Sequence, residues 1–135
     1  MHDYYLKDSR RAVDAKFKAQ EIAFAPLSFQ AARALRETGI LERVATSGES
    51  GCTAEVIAKD LGLSVYGVGV LLEMGLGMEL VKLSGAAEEL SYVLGKTGFF
   101  ILEDEMTRVN MDFCHDVCYQ GAFYLLESVL HGKPE

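Results

Sequence analysis

The sequence predicts a mainly α-helical domain, a winged helix-turn-helix with a small β-hairpin wing and extra helices at its N- and C-terminal ends. Two observations predict the centre of this fold: two short helices joined by the four-residue turn Leu61–Ser64, and two β-prone runs that follow them. A third observation predicts the flanking helices, because apolar residues recur at helical spacing on both sides of this centre.

Residues 1–45 are predicted to form the N-terminal helices. From Ser9 onward, apolar residues stand at helical spacing between basic ones, at Val13, Phe17, Ile22 and Phe24. We expect Pro26 to interrupt or restart this helix, because proline fits the first turn of a helix but not its interior. A second helix then ends near Gly39 and carries one apolar face, formed by Leu27, Ala31, Ala34 and Leu35. A short apolar helical turn, Ile40–Val44, follows.

Residues 46–98 are predicted to form the winged-helix core. After a loop at residues 46–51, Thr53 is a candidate N-cap for the helix AEVIAKDL, which Gly62 ends. Ser64 can cap the next helix, VYGVGVLLEMGL. The runs Met78–Leu83 and Leu90–Leu94 then predict a hairpin around the connection at residues 84–89.

Residues 99–135 predict C-terminal helices. A short helix at Thr97–Leu102 is followed by the charged break Glu103–Glu105, and Val109–Leu130 predicts one or two apolar helices. Helices and one hairpin therefore use nearly every residue, which leaves no room for a doubly wound nucleotide-binding sheet.

Composition narrows the class of protein. The chain has 135 residues, 50% of them hydrophobic, and a formal net charge of −7, which fits one ordinary globular domain. No apolar run is long enough for a membrane span, and the charged N-terminal segment does not resemble a signal peptide. Three cysteines, an odd number, favour a reducing compartment, so we expect a cytoplasmic location.

The charge distribution argues against nucleic acid as a partner. Residues 1–45 hold eight Lys and Arg against six Asp and Glu, whereas residues 46–135 hold five against fourteen. No lysine or arginine lies between Leu61 and Val81, where a DNA-binding helix would need them to neutralise phosphates. The second helix is instead apolar on more than one face, which indicates that a subunit partner or a second domain covers it.

Two glycines in this helix, Gly67 and Gly69, allow two interpretations. Each destabilises a helix interior by about 0.5–1 kcal/mol relative to alanine. Another backbone approaches them closely, or the helix is intrinsically weak and is held by tertiary contacts. The patterns around Gly67 and Gly75 come near a dinucleotide-binding motif, but they do not stand between a strand and a helix as that motif requires.

No catalytic, metal or cofactor residue is assigned. Cys114, His115 and Cys118 lie on one predicted helix without a fourth ligand, and no serine or cysteine has a recognisable base and orienting acid. Aromatic and methionine side chains crowd the C-terminal helices. They belong to the core or a dimer interface, or some of them line a substrate pocket.

Four stretches in order carry a family resemblance: TAEVIAKDLGLS, VLLEMGLGMELVKL, ELSYVLGKTGFFIL and AFYLLESVLHGKPE. They resemble the N-terminal winged-helix dimerisation region of S-adenosylmethionine-dependent small-molecule O-methyltransferases, from about Ala19 to Glu135. The family's leucine-rich helix end is matched by Leu71–Gly75 and the end of its wing by Tyr92–Gly98. The segment before its catalytic domain is matched from Leu125 or Leu126 to Pro134.

The resemblance implies a homodimer whose N- and C-terminal helices interlock, so the extra helices are dimerisation helices. It also implies a role in covering one side of a substrate pocket. S-adenosylmethionine is then the cofactor of the full-length protein, bound by a C-terminal methyltransferase domain that this chain lacks, and we expect the chain alone to be inactive. The candidate interface residues are Phe17, Phe24, Leu27, Val117 and Leu125, and the candidate pocket residues are Met111, Phe113, Tyr119 and Phe123. The alternative is a winged-helix transcriptional regulator that binds DNA.

Overall fold

The structure is a computed structural model that describes residues 8–85 and 90–134. Its helices are α1 (Ala12–Glu37), α2 (Ile40–Thr46), α3 (Ala54–Leu61), α4 (Val65–Gly77), α5 (Lys96–Glu103), α6 (Glu105–Phe113), α7 (Tyr119–Ala122) and α8 (Leu125–His131). A 3-10 turn, Gly48–Ser50, precedes α3, and a π-helical turn, Cys114–Cys118, joins α6 to α7. None of the helices in the described ranges is both long and apolar enough to cross a membrane. The predicted fold class is confirmed.

Helix α1 runs without a break through Pro26, so the predicted interruption at this residue is wrong. A proline inside a helix removes one hydrogen bond and costs about 3 kcal/mol. Six alanines between residues 19 and 34 offset part of this cost, because alanine has the highest helix propensity. The hydroxyl of Tyr119 also donates a hydrogen bond of 3.0 Å to the carbonyl oxygen of Pro26.

The helix-turn-helix forms as its local signals predict. The Thr53 hydroxyl accepts a hydrogen bond of 3.4 Å from the backbone nitrogen of Val56 at the start of α3. Gly62 ends α3 in the left-handed region, at φ +67°. The Ser64 hydroxyl then accepts a bond of 2.9 Å from the nitrogen of Gly67 and caps α4. Side-chain caps and one glycine therefore set both helix boundaries.

The wing is an antiparallel pair of strands, β1 (Val81–Ser84) and β2 (Ser91–Leu94), in which Val81 lies opposite Leu94. Strand β1 begins later than the predicted run because the residues before it close α4. The nitrogen of Leu80 donates a hydrogen bond of 2.8 Å to the carbonyl of Gly75, and Glu79 takes the left-handed conformation at φ +59°. Residues 86–89 of the predicted connection lie outside the described residues.

One hydrophobic core lies under the wing. It is built from side chains of α1, α2, α3, α4 and β1 together with one methionine of α6, chiefly Leu35, Ile40, Leu41, Val44, Ile57, Leu72, Val81 and Met111. Gly75 allows α4 to pack closely, since an added Cβ would lie 3.2 Å from Cδ1 of Leu35. The core thus draws on each of the three predicted segments, 1–45, 46–98 and 99–135, and their division into units stays a prediction.

Candidate self-association surface

The N-terminal half of α1 carries an apolar stripe that nothing in the described residues covers. At 100° per residue, one face of α1 within a sector of about 80° holds Val13, Phe17, Gln20, Phe24 and Leu27. The side chains of Phe17 and Phe24 are 67% and 55% exposed. The same line continues into Ala31 and Leu35, which are buried, Leu35 completely. The core therefore covers the C-terminal half of one continuous stripe and leaves the N-terminal half open.

Ile22 belongs to the other side of α1. It lies about 180° around the helix from Ala31, although it stands between two residues of the stripe in sequence. Its exposure, 67%, equals that of Phe17. Ile22 is therefore a natural control position on the same helix.

The C-terminal segments pack antiparallel on this second side of α1. The ring of Tyr119 stacks on Phe29 with the ring centroids 5.5 Å apart, while its hydroxyl bonds to Pro26. Gln30 Nε2 lies 3.2 Å from Nδ1 of His115. These contacts hold the π-helical turn and the start of α7 against the middle of α1.

Arg36, near the C-terminal end of α1, joins this helix to α6. Its side chain is only 8% exposed and forms ion pairs with Glu37, at 2.6 Å, and with Asp112 of α6. Burial by itself lowers the pKa of Arg36, but the hydrogen bonds to these two carboxylates outweigh burial and raise it above its ordinary value. The guanidinium also lies 3.9 Å from the sulfur of Met111, so it ties α6 to α1.

The outer side of the C-terminal segments is a second exposed apolar surface. Phe123 is 82% exposed, and large apolar side chains are exposed in α6, in the π-helical turn and in α8, including Phe113, Val117, Leu125, Leu126, Val129 and Leu130. Extended apolar surface of this kind marks interaction sites in folded proteins. With the stripe of α1, it makes the N- and C-terminal helices the candidate self-association surface.

The predicted site residues fall into three environments. All five predicted interface residues, Phe17, Phe24, Leu27, Val117 and Leu125, are exposed. Among the predicted pocket residues, Met111 lies in the core, and Phe113 is exposed. Tyr119 and Phe123 line a recess of about 330 Å³ together with Gln120 and Tyr124.

Sequence reasoning did not single out Gln20, and on the exposed face of α8 it named only Leu125. The spacing of Leu125, Leu126, Val129 and Leu130 in pairs four residues apart was a usable signal for α8. For Gln20 the signal was its place between Phe17 and Phe24 on one helix face.

The face of α4 that would read DNA in a nucleic-acid-binding protein is apolar and acidic here. Tyr66 and Val70 are exposed and line a groove of about 380 Å³ with Gly67, and Glu73 is the only charged residue of α4. No described atom lies within 4 Å of a Cβ added at Gly69, and at Gly67 such a Cβ would meet only the Ser64 hydroxyl, at 2.9 Å. No other described backbone therefore approaches these two glycines closely, and Gly67 only leaves room for the capping Ser64 hydroxyl.

The three residues considered for a metal do not form a ligand set. Cys114 and Cys118 are free cysteines at the two ends of the π-helical turn, and His115 faces Gln30. Within the described ranges, no group of three or more His, Cys, Asp and Glu residues is arranged to hold a metal ion.

Comparisons with known proteins agree with this architecture. A family model described as the Dimerisation2-like domain matches residues 16–88. No curated protein matches the sequence. Among solved structures, that of human N-acetylserotonin methyltransferase in complex with SAM is similar to the chain with a TM-score of 0.69 and 15% sequence identity. The similarity covers 94% of this chain and 37% of that one, so the chain spans about a third of the methyltransferase's length.

Proposed function

Since the chain belongs to the Dimerisation2-like domain family, we propose that it is the homodimerisation module of a SAM-dependent small-molecule methyltransferase. The observation that carries this proposal is the apolar stripe of α1, covered by the core at Leu35 and open at Phe17 and Phe24. A second copy would remove this surface from water, at about 25 cal/mol per Å² of apolar area. The exposed face of the C-terminal segments supports the same conclusion, because it adds area for an interlocked dimer.

The finer part of the proposal concerns the catalytic domain. The solved structure with the same fold is a methyltransferase in complex with SAM. We therefore place the SAM site and the chemistry in a separate domain, and this module at one side of the substrate pocket. Phe113, Tyr119 and Phe123 would contact the substrate, whereas Met111 is buried in the core. The three cysteines of this chain are free, which supports a cytoplasmic location.

DNA binding is not favoured by any feature of the winged helix. Affinity for duplex DNA depends on Lys and Arg at the phosphates, and recognition depends on polar side chains at the base edges. From Leu61 to Val81 the chain offers neither Lys nor Arg, and α4 exposes Tyr66 and Val70 instead.

Light scattering coupled to size exclusion tests the proposal. The chain has a mass of 14.8 kDa, and at tens of micromolar we expect twice this mass. Calorimetry with SAM serves as the control, and we expect no heat at a defined stoichiometry. A monomeric mass at this concentration contradicts the dimerisation proposal. Salt-dependent binding of duplex DNA would support the transcriptional alternative.

A further inference from the structure

We infer that two copies of this chain pair through antiparallel N-terminal halves of α1, with Gln20 of each copy against Gln20 of the other on a two-fold axis. This inference rests on the proposed self-association and adds its geometry. In this geometry α1 of one copy contacts α1 of the other, the two helices are antiparallel, and Gln20 fixes their register.

The spacing of the stripe is self-complementary around Gln20. Val13 and Leu27 stand seven residues before and after it, and Phe17 and Phe24 stand three before and four after. Two copies of this stripe in opposite directions place Val13 opposite Leu27, and place Phe17 within one residue of Phe24. A two-fold dimer requires such a surface, because residue i contacts j wherever j contacts i.

The fold itself selects the antiparallel direction. From Ala31 to Leu35 the face that carries the stripe is buried in the chain's own core. A parallel partner helix on the open half would run into this core after about residue 28. In an antiparallel pair, the C-terminal half of the partner's α1, which its own core covers, lies beyond Ala12 of the first copy. Each core therefore remains clear of the other.

Gln20 gives this pairing one register. It is exposed and is the only polar residue among the stripe's positions from Val13 to Leu27. A buried amide costs free energy unless its donor and acceptor are bonded, and two opposed amides can satisfy each other. A single polar residue in an apolar helix seam specifies register in coiled coils by this mechanism. A shift of one helix along the other by one turn would bury the amide against Phe17 or Phe24.

The charged edges of the stripe are compatible with the pairing. With Gln20 opposite Gln20, Lys16 comes opposite Phe24, and Glu21 comes opposite Ala19, two residues from its counterpart. Glu21 is ion-paired with Lys18 of its own helix, at 3.0 Å. This local pair reduces the repulsion between the two Glu21 carboxylates.

Disulfide cross-linking tests the axis. In a background with Cys114→Ser and Cys118→Ser, where the remaining Cys52 is buried, we compare a Gln20→Cys variant with an Ile22→Cys variant under mild oxidation. Opposed Cα atoms at the axis would meet the distance that a disulfide needs, whereas Ile22 lies on the far side of α1. We expect Gln20→Cys to form covalent dimers at least tenfold faster than Ile22→Cys.

A mixture of single variants tests the direction independently of Gln20. We combine Phe17→Cys protein labelled with ¹⁵N and unlabelled Phe24→Cys protein, and identify the covalent dimers by intact mass. Antiparallel pairing predicts mainly mixed dimers, and parallel pairing predicts dimers of each variant with itself. Sedimentation of the reduced background protein shows whether the chain forms a dimer at all, which separates the self-association from its proposed geometry. A dimer without the predicted cross-links overturns the geometry alone, and a monomer overturns the self-association as well.

Discussion

Arg36 shows how one side chain connects distant parts of the sequence. Its guanidinium is nearly buried between Glu37, Asp112 and the sulfur of Met111. Replacing Arg36 with alanine leaves Asp112 without its cation and removes packing over Met111. We expect Arg36→Ala to lower the free energy of unfolding by about 2 kcal/mol, measured by urea denaturation.

Arg11 provides the matched control for this prediction. It forms an ion pair with Asp14 at 2.8 Å, but both side chains are exposed. Exposed pairs contribute little, so Arg11→Ala should change the free energy of unfolding by less than about 0.5 kcal/mol. Equal effects of the two substitutions would show that Arg36 does not tie α6 to α1.

Alanine substitutions at two helix glycines should change the stability of the fold in opposite directions. A Cβ added at Gly98 would overlap the carbonyl group of Leu80, whereas at Gly69 nothing described lies within 4 Å. Gly98→Ala should therefore destabilise the fold by about 2–4 kcal/mol. Gly69→Ala should stabilise it by about 0.5–1 kcal/mol through helix propensity.

Thermal or urea unfolding of both variants at a concentration below dimer formation measures these effects in the single chain. A loss of stability for Gly69→Ala only at high protein concentration would show that a second copy approaches this glycine. That result would favour the close-approach interpretation of Gly67 and Gly69 over the weak-helix interpretation.

At the scale of elements, Asp104 controls the start of α6. Its carboxylate accepts hydrogen bonds of 2.7 Å from both the hydroxyl and the backbone nitrogen of Thr107, and these bonds lower the pKa of Asp104. A carboxyl group with a lowered folded-state pKa stabilises the fold above its unfolded pKa of about 3.9. That stabilisation disappears as the pH falls through the folded-state value.

We therefore expect the stability difference between the native chain and an Asp104→Asn variant to be constant from pH 7 to about pH 5. It should shrink as the pH is lowered below about 4. Urea unfolding at several pH values measures the difference. A difference that does not change down to pH 2.5 would show that the charge of Asp104 does not stabilise the cap.

Elements with local signals were predictable from the sequence. Thr53, Gly62 and Ser64 act within a few residues of themselves, and the structure places each of them in its predicted capping or terminating role. The error at Pro26 has the opposite cause. Its surroundings include Tyr119, which bonds to its carbonyl oxygen but is distant in sequence, so local signals do not report them.

The candidate surface was predictable in outline only. Apolar spacing identified Phe17, Phe24 and Leu27, and all three are exposed. The same spacing grouped Ile22 with them, although it lies on the other side of α1, and it could not show that Met111 is buried beneath Arg36. Which apolar residues a chain covers itself depends on long-range packing, which a single sequence does not report.

In the whole molecule, helix α1 is buried in the core along its C-terminal half and exposed along its N-terminal half. The C-terminal half of α1 completes the core of its own chain through Leu35, and the N-terminal half extends beyond that core with Phe17 and Phe24 open. The winged helix supplies the core that anchors α1. No Lys or Arg lies between Leu61 and Val81, where a DNA-binding winged helix would need them at the phosphates.

Sedimentation equilibrium of stripe variants tests the central claim most directly, that the open stripe of α1 is the surface through which two copies pair. We compare the native chain with Phe24→Asp on the stripe and Ile22→Asp on the opposite side of the helix. A charge buried at the pairing surface should raise the dimer dissociation constant at least about 100-fold for Phe24→Asp. Ile22→Asp should raise it much less, because Ile22 lies beside the C-terminal segments and not on the stripe. Dimers of equal strength in all three proteins, or a monomeric native chain, would contradict the claim.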